Sequence, residues 1–231
     1  MEIGGFKKVS LIEYPGKISS VIFTIGCNFR CLYCYAPQLV LPEKIKKITP
    51  IPKSYIFSYL KKNKKFVDAV TITGGEPTIH AELPKFIEKI KKMNFLVALE
   101  TNGSNFPMLK KLVEEKLVNY VAMDIKTVLD FKKYKEITNC DKKMFENVKK
   151  SVNFLLKRKV VDYEFRTTLV KEFHTRQDII KICKMVKTNY FLQNLKNDVE
   201  LLSNKKLTPF NEKELTELLE ECRKFAKVSL R

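Results

Sequence analysis

The chain's 231 residues, 45% of them hydrophobic and 30% charged, suffice for one domain with a sizeable buried core and exclude wholesale disorder. No apolar run approaches the ~20 residues of a membrane helix, and the first eight residues, Met1 to Lys8, lack the basic, apolar and small-residue order of an export signal. The expectation is a soluble, cytoplasmic protein. The net charge of +18 comes from 44 Lys+Arg against 26 Asp+Glu, and only six of the basic residues are Arg. Base readout and phosphate clamps lean on the planar Arg fork, so the lysine excess reads as solvated helix faces, then as a surface for an acidic partner, and only last as nucleic-acid binding.

In chain order, short runs rich in Val, Ile, Phe and Tyr predict buried strands at Ser20–Ile25, Ala69–Thr73, Phe95–Glu100, Tyr120–Ile125, Tyr163–Val170 and Tyr190–Leu195. Lys-rich amphipathic stretches predict helices at Lys53–Lys62, Glu82–Met93, Met108–Lys116, Lys143–Lys157, Thr175–Lys187 and Glu212–Lys227. The alternation implies an α/β fold with a parallel sheet. Six units fall short of the eight of a closed barrel of ~250 residues, so the expected architecture is a partial, open (β/α)6 TIM-like barrel. Its single domain comprises an N-terminal extension over 1–18, a (β/α) core over 19–195, and a C-terminal helix with a short strand over 196–231. Polar or Gly-rich features fall at five predicted strands: Cys27, Gly74-Gly75-Glu76-Pro77, Thr101-Asn102-Gly103, Asp124 with Lys126, and Arg166. Ligands of parallel α/β folds bind at the carboxyl ends of strands.

Cys27, Cys31 and Cys34 fall within eight residues, whereas Cys140, Cys183 and Cys222 are scattered and read as small buried apolar residues. A tight thiolate cluster in a cytosolic chain points to a metal or Fe–S site, and structural zinc normally takes four ligands in two pairs. Three thiolates hold three irons of a four-iron cluster and leave the fourth open to a substrate or cofactor. Both histidines, His80 and His174, read as surface or capping residues.

With Cys-x-x-x-Cys-x-x-Cys and Gly-Gly-Glu-Pro in this order, and Tyr33 at the aromatic position before Cys34, the chain resembles the radical S-adenosylmethionine (SAM) superfamily. The segment Gly4-Gly5-Phe6-Lys7-Lys8-Val9-Ser10-Leu11-Ile12-Glu13-Tyr14-Pro15-Gly16 is similar to the N-terminus of glycyl-radical-enzyme activases, most of all those of anaerobic ribonucleoside-triphosphate reductase. Glu100-Thr101-Asn102-Gly103, Met123-Asp124-Ile125-Lys126-Thr127 and Glu164-Phe165-Arg166-Thr167-Thr168 resemble that group too, whereas Tyr35-Ala36 stands where many activases have His-Asn.

The resemblance implies that Cys27, Cys31 and Cys34 hold a [4Fe-4S] cluster whose open iron SAM chelates. It places Gly74, Gly75 and Glu76 at the SAM amino group, Asn102 near the ribose and Asp124 beside SAM. Lys126 and Arg166 become candidate partners for its carboxylate. Glu100, Thr101 and Asp124 match part of a monovalent-cation site in related pyruvate formate-lyase activases. The implied reaction is reductive cleavage of SAM to a 5′-deoxyadenosyl radical that generates a glycyl radical on a protein partner, anaerobic ribonucleoside-triphosphate reductase, with a ferredoxin or flavodoxin as reductant. The alternatives are activation of pyruvate formate-lyase or another glycyl radical enzyme, a radical SAM enzyme acting on a deazapurine, pterin or tRNA, and a non-catalytic Fe–S electron carrier or basic binding protein.

Overall fold

The computed structural model describes residues 1–157 and 161–231. Eight strands form one sheet in sequential order: β1 (Ile3–Ser10), β2 (Ser19–Thr24), β3 (Ala69–Gly74), β4 (Leu96–Thr101), β5 (Tyr120–Asp124), β6 (Asp162–Leu169), β7 (Asn189–Asn194) and β8 (Lys227–Leu230). β2 through β8 run parallel, while β1 pairs antiparallel with β2. The sheet is open, with β1 and β8 as its edges. The connections carry the helices α1 (Pro37–Val40), α2 (Pro42–Ile45), α3 (Lys53–Lys62), α4 (Leu83–Lys92), α5 (Phe106–Glu114), α6 (Phe131–Thr138), α7 (Lys142–Lys157), α8 (Arg176–Val186) and α9 (Glu212–Cys222). No helix among the described residues is long and apolar enough to cross a membrane.

The six predicted strands are all present. The N-terminal extension folds as β1 and adds one edge to the sheet, and the short strand of the C-terminal segment, β8, forms the other. The predicted last helix stops at Cys222, and Lys227 already belongs to β8. The eight-residue α6 went unpredicted; it is held by an Asp130 side-chain cap on the Lys133 N–H and by Asn139 in the left-handed conformation at its end.

Alternation along the strands separates two environments. Val70, Ile72, Val97, Leu99, Val121 and Phe165 face the helices and join the main core, packed against fully buried side chains such as Ile56, Leu60 and Ile87. The other face is small or polar. Ala69, Ala98 and Ala122 leave room at the strand starts for Tyr14 and Tyr120, whose rings lie 5.3 Å apart. The Tyr120 hydroxyl donates to Glu164 at 2.5 Å, and Arg231 grips the same buried carboxylate through two nitrogens at 2.5 and 2.8 Å. Phe191 stacks on that guanidinium, 3.7 Å from ring centre to carbon. A buried carboxylate is tolerable only when paired and hydrogen-bonded in this way.

Truncating a fully buried helix residue leaves a cavity on the core side of the sheet. Ile87→Ala, at 0% exposure, is expected to lower unfolding free energy by about 2–5 kcal/mol in urea denaturation.

Candidate active site

The loop after β2 carries the three cysteines and owes its shape to distant backbone. The N–H groups of Arg30 and Leu32 donate to the carbonyls of Thr138 and Ile137 at the end of α6, at 2.8 and 3.1 Å. On its other side, the N–H groups of Leu202 and Ser203 donate to the carbonyls of Cys34 and Leu32, both at 3.0 Å. Within the loop, Arg30 donates to the carbonyls of Cys27 and Phe29. The backbone N–H groups of Phe29 and Ala36 point at the sulfurs of Cys27 and Cys34, each at 3.4 Å. Tyr35 lends its hydroxyl oxygen to the Lys196 N–H at 2.8 Å, tying the loop to the segment after β7.

The end of β3 meets this loop at close range. A Cβ on Gly75 would lie 1.9 Å from the Gly26 carbonyl oxygen, and Gly74 has φ +119° with the β2 backbone 2.3 Å from where its Cβ would be. Only glycine fits either position. Next to them Glu76 is a buried clamp: its carboxylate accepts from the Thr78 N–H at 3.0 Å, the Thr78 hydroxyl, the Thr101 hydroxyl at 2.7 Å and the Asn102 N–H at 2.7 Å. Burial raises this carboxyl above its ordinary range, and these four donors oppose the rise. Asn102 in turn donates to the Asn28 side-chain oxygen at 3.1 Å, and Asn28 donates to Ser104 at 2.7 Å, so the cysteine loop and the end of β4 are cross-linked. After Glu76 the chain makes a single 3-10 turn, Pro77–Ile79, and no longer helix starts there.

Across β4, β5 and β6 runs a charged row. Register pairs Asp124 with Arg166 on neighbouring strands. Arg166 donates to Asp124 at 3.0 Å and to Glu100 at 2.7 Å; Lys126 donates to Asp124 at 2.8 Å, and the Thr73 hydroxyl to Glu100 at 2.8 Å. Two carboxylates and two cations thus neutralise one another. Burial alone would raise the Asp124 carboxyl, but Lys126 and Arg166 outweigh it and hold the group at about 2. The thiols of Cys27 and Cys31 go the other way, both to about 12, burial being the main cause. Such thiols give up their protons when a metal takes them.

His174 departs from the surface or capping role expected of it. It is buried at 2% exposure, its Nε2–H donates to the Lys126 carbonyl at 2.7 Å, and its Nδ1 accepts from the Val170 N–H at 3.0 Å. Burial lowers its pKa and keeps the ring neutral, as that pair of roles requires. Together with the Tyr134 hydroxyl, which accepts from the Lys126 N–H at 3.1 Å, it fixes the backbone on both sides of Lys126. Asn28, Arg30, Tyr134 and His174 are the site residues that sequence reasoning missed. No short-range signal marks them, because each acts on a segment remote in sequence or through its own loop.

The resulting cleft, about 340 Å³, opens at the strand ends. Cys27, Cys31, Tyr33, Cys34, Gly74, Gly75, Glu76, Glu100, Thr101, Asn102, Asp124, Lys126 and Arg166, the whole set singled out in the sequence, line it. All six cysteines are free thiols, and only the first three line the cleft. Among the described residues no three His, Cys, Asp or Glu side chains converge on a point for a single ion. A four-iron cluster, with thiolates on its outer corners, does not need that convergence. Free thiols, N–H groups aimed at two sulfurs and a neighbouring polar cleft suit such a group. The suggested cation ligands fit less well. Arg166 bridges Glu100 and Asp124, and the Thr101 hydroxyl turns to Glu76, so the three do not offer free oxygens to a common ion.

Comparison with known proteins agrees with this geometry. The family model of the radical SAM superfamily matches residues 21–187. A Methanocaldococcus jannaschii protein named as a glycyl-radical enzyme activating enzyme is 34% identical over 229 residues, covering 96% of this chain and 92% of the relative. The pyruvate formate-lyase-activating enzyme of Clostridium pasteurianum is 27% identical, covering 87% of this chain and 80% of its own length. Among solved structures, QueE from Escherichia coli has a TM-score of 0.57 at 14% identity, covering 100% of this chain and 93% of that one, a likeness of fold alone. From the cysteine loop to the charged row, and over nearly the whole length of its relative, the chain belongs to the radical SAM superfamily and, within it, to the glycyl-radical-enzyme activases.

Proposed function

We propose that this activase acts on an anaerobic ribonucleoside-triphosphate reductase, placing a glycyl radical on it in the cytoplasm with a ferredoxin or flavodoxin as electron donor. The observation that carries the reading is the open cleft at the strand ends, lined by the three cysteines and the charged row. A protein loop suits such a mouth. The N-terminal segment's resemblance to reductase activases supports the narrower choice, and that segment supplies most of β1 and the Tyr14 that packs across the strand starts.

Cys27, Cys31 and Cys34 would hold the [4Fe-4S] cluster, and the cleft beside it would take SAM. When bound, these groups supply a one-electron reductive cleavage that produces a carbon-centred radical able to remove a hydrogen atom. The chain's own contribution is orientation. The glycines let the end of β3 close on the backbone after β2, beside which the SAM amino group would sit, while Glu76, its oxygens already occupied, holds that backbone still. Lys126 and Arg166 would offer their remaining N–H donors to the SAM carboxylate from positions that Asp124 and Glu100 already fix. Asn102 would border the ribose, and Tyr33 walls the cleft beside Cys34.

Activation of pyruvate formate-lyase is the competing reading, favoured by the likeness to the clostridial enzyme. Electron spin resonance separates them: after anaerobic reconstitution and reduction, a glycyl-radical doublet should appear when the reductase is added. A doublet with pyruvate formate-lyase and none with the reductase would reverse the choice. Cys31→Ala should abolish both the cluster's absorbance and 5′-deoxyadenosine formation, whereas Cys183→Ala, in the core away from the cleft, should keep both.

The charge row also has a pH signature. Asp124 is held at about 2, below the ordinary ~3.9, so its contribution to stability is complete above about pH 4 and is lost as pH falls toward 2. Unfolding free energy measured against pH should fall less steeply over that window in Asp124→Asn than in the wild type.

A further inference from the structure

We propose that the outer surface of α3 and α4 docks an acidic amphipathic helix of a partner protein. Residues 53–66 and 82–93, the two helices with their flanks, carry nine lysines against two glutamates, so 26 of the 231 residues hold +7 of the net +18. Between the helices lies a groove of about 540 Å³ lined by Phe57, Ser58, Lys61, Lys64, Lys89 and Met93. Phe57 packs against Phe86 with ring centres 5.3 Å apart and planes tilted by 51°, which fixes the apolar floor. Lys53 is engaged by Glu82 and Lys91 by Asn119, but among the described residues no ion pair engages Lys61, Lys64 or Lys89. Beyond the end of α3, Phe66 is 73% exposed.

An apolar floor rimmed by three ammonium groups complements one aromatic or aliphatic anchor flanked by carboxylates a helical turn apart. The absence of arginine argues against a nucleic-acid occupant, which would favour the planar guanidinium. Position adds to the argument. α3 and α4 lead back to the starts of β3 and β4, so Lys61, Lys64 and Met93 lie at the end of the sheet opposite the cysteine loop. A helix seated there leaves the cleft mouth open. The partner could be anchored at one end of the molecule while another of its segments uses the cleft, and such two-point contact raises effective concentration without demanding tight binding at either point.

The test uses the full chain and a fluorescein-labelled peptide of about 18 residues, long enough to form a helix, bearing a Leu-x-x-Phe stripe flanked by Glu. In fluorescence anisotropy at about 50 mM salt, where screening is modest, the peptide should bind at least about tenfold more tightly than its scrambled sequence. The triple variant Lys61→Glu/Lys64→Glu/Lys89→Glu should lose at least about tenfold in affinity. Ser58→Glu, an exposed change inside the groove, and Met93→Ala, which removes apolar floor without touching charge, should each weaken binding. The triple variant Lys142→Glu/Lys143→Glu/Lys150→Glu, equal in charge but on α7, should bind like the wild type. Equal affinity for the scrambled peptide, or equal loss in the α7 variant, would overturn the proposal by showing a mere response to net charge. So would a single-stranded oligo-dT that binds more tightly than the peptide and is weakened by the same α3/α4 changes.

Discussion

Arg166 is the residue on which the polar face of the sheet depends. It bridges a carboxylate on β4 to one on β5, and with Lys126 it brings the row to neutrality. Isolated buried charge costs several kcal/mol, whereas a closed set of pairs makes the same groups tolerable. An apolar inner face would have packed more simply, but it would offer nothing to orient a zwitterionic ligand. Among the described residues, loss of Arg166 would leave Glu100 with no cation and Asp124 with Lys126 alone, so its structural and ligand-directed roles are not separated by deletion alone.

A second set of contacts converts this row into a cleft. The sheet supplies straight strands, yet the walls are loops, and loops hold still only when their backbone groups are engaged. Glu76 engages donors from its own turn and from the end of β4; Asn28 and Asn102 join the cysteine loop to that same end. His174 and Tyr134 secure the backbone around Lys126. Each wall is therefore locked by an element from elsewhere in the chain, and the rigid part of the site is larger than the set of residues that border it.

How much of this was legible in the sequence follows from the range of each interaction. The six central strands announced themselves as short β-branched runs, since both faces of such strands are largely enclosed. The cysteines, Gly74-Gly75-Glu76 and Asp124 with Lys126 were visible because their chemistry is local: spacing, or a glycine where backbone must pass close. β1 was not, because its Lys7-Lys8 and paired glycines look like a solvated extension until β2 is present to pair with it. His174 was misread because its ring is buried against Lys126, 48 residues away in sequence. The ends of Glu76's hydrogen bonds were equally hidden: a carboxylate in a Gly-Gly-Glu-Pro turn looks available to a ligand, and only the fold shows its oxygens occupied.

The two ledges that hold the cysteine loop come late in the chain, at Ile137 and Thr138 and at Leu202 and Ser203. During synthesis the thiols emerge well before the backbone that will hold them in place, and domains fold in step with what has been made. The second ledge is made only after β7, so residues 27–34 lack that support until Leu202 and Ser203 are available. Truncation after β6 would therefore leave the three cysteines with the ledge at Ile137 and Thr138 but without the one at Leu202 and Ser203. The shape of the cysteine loop is thus completed by backbone made about 170 residues after it.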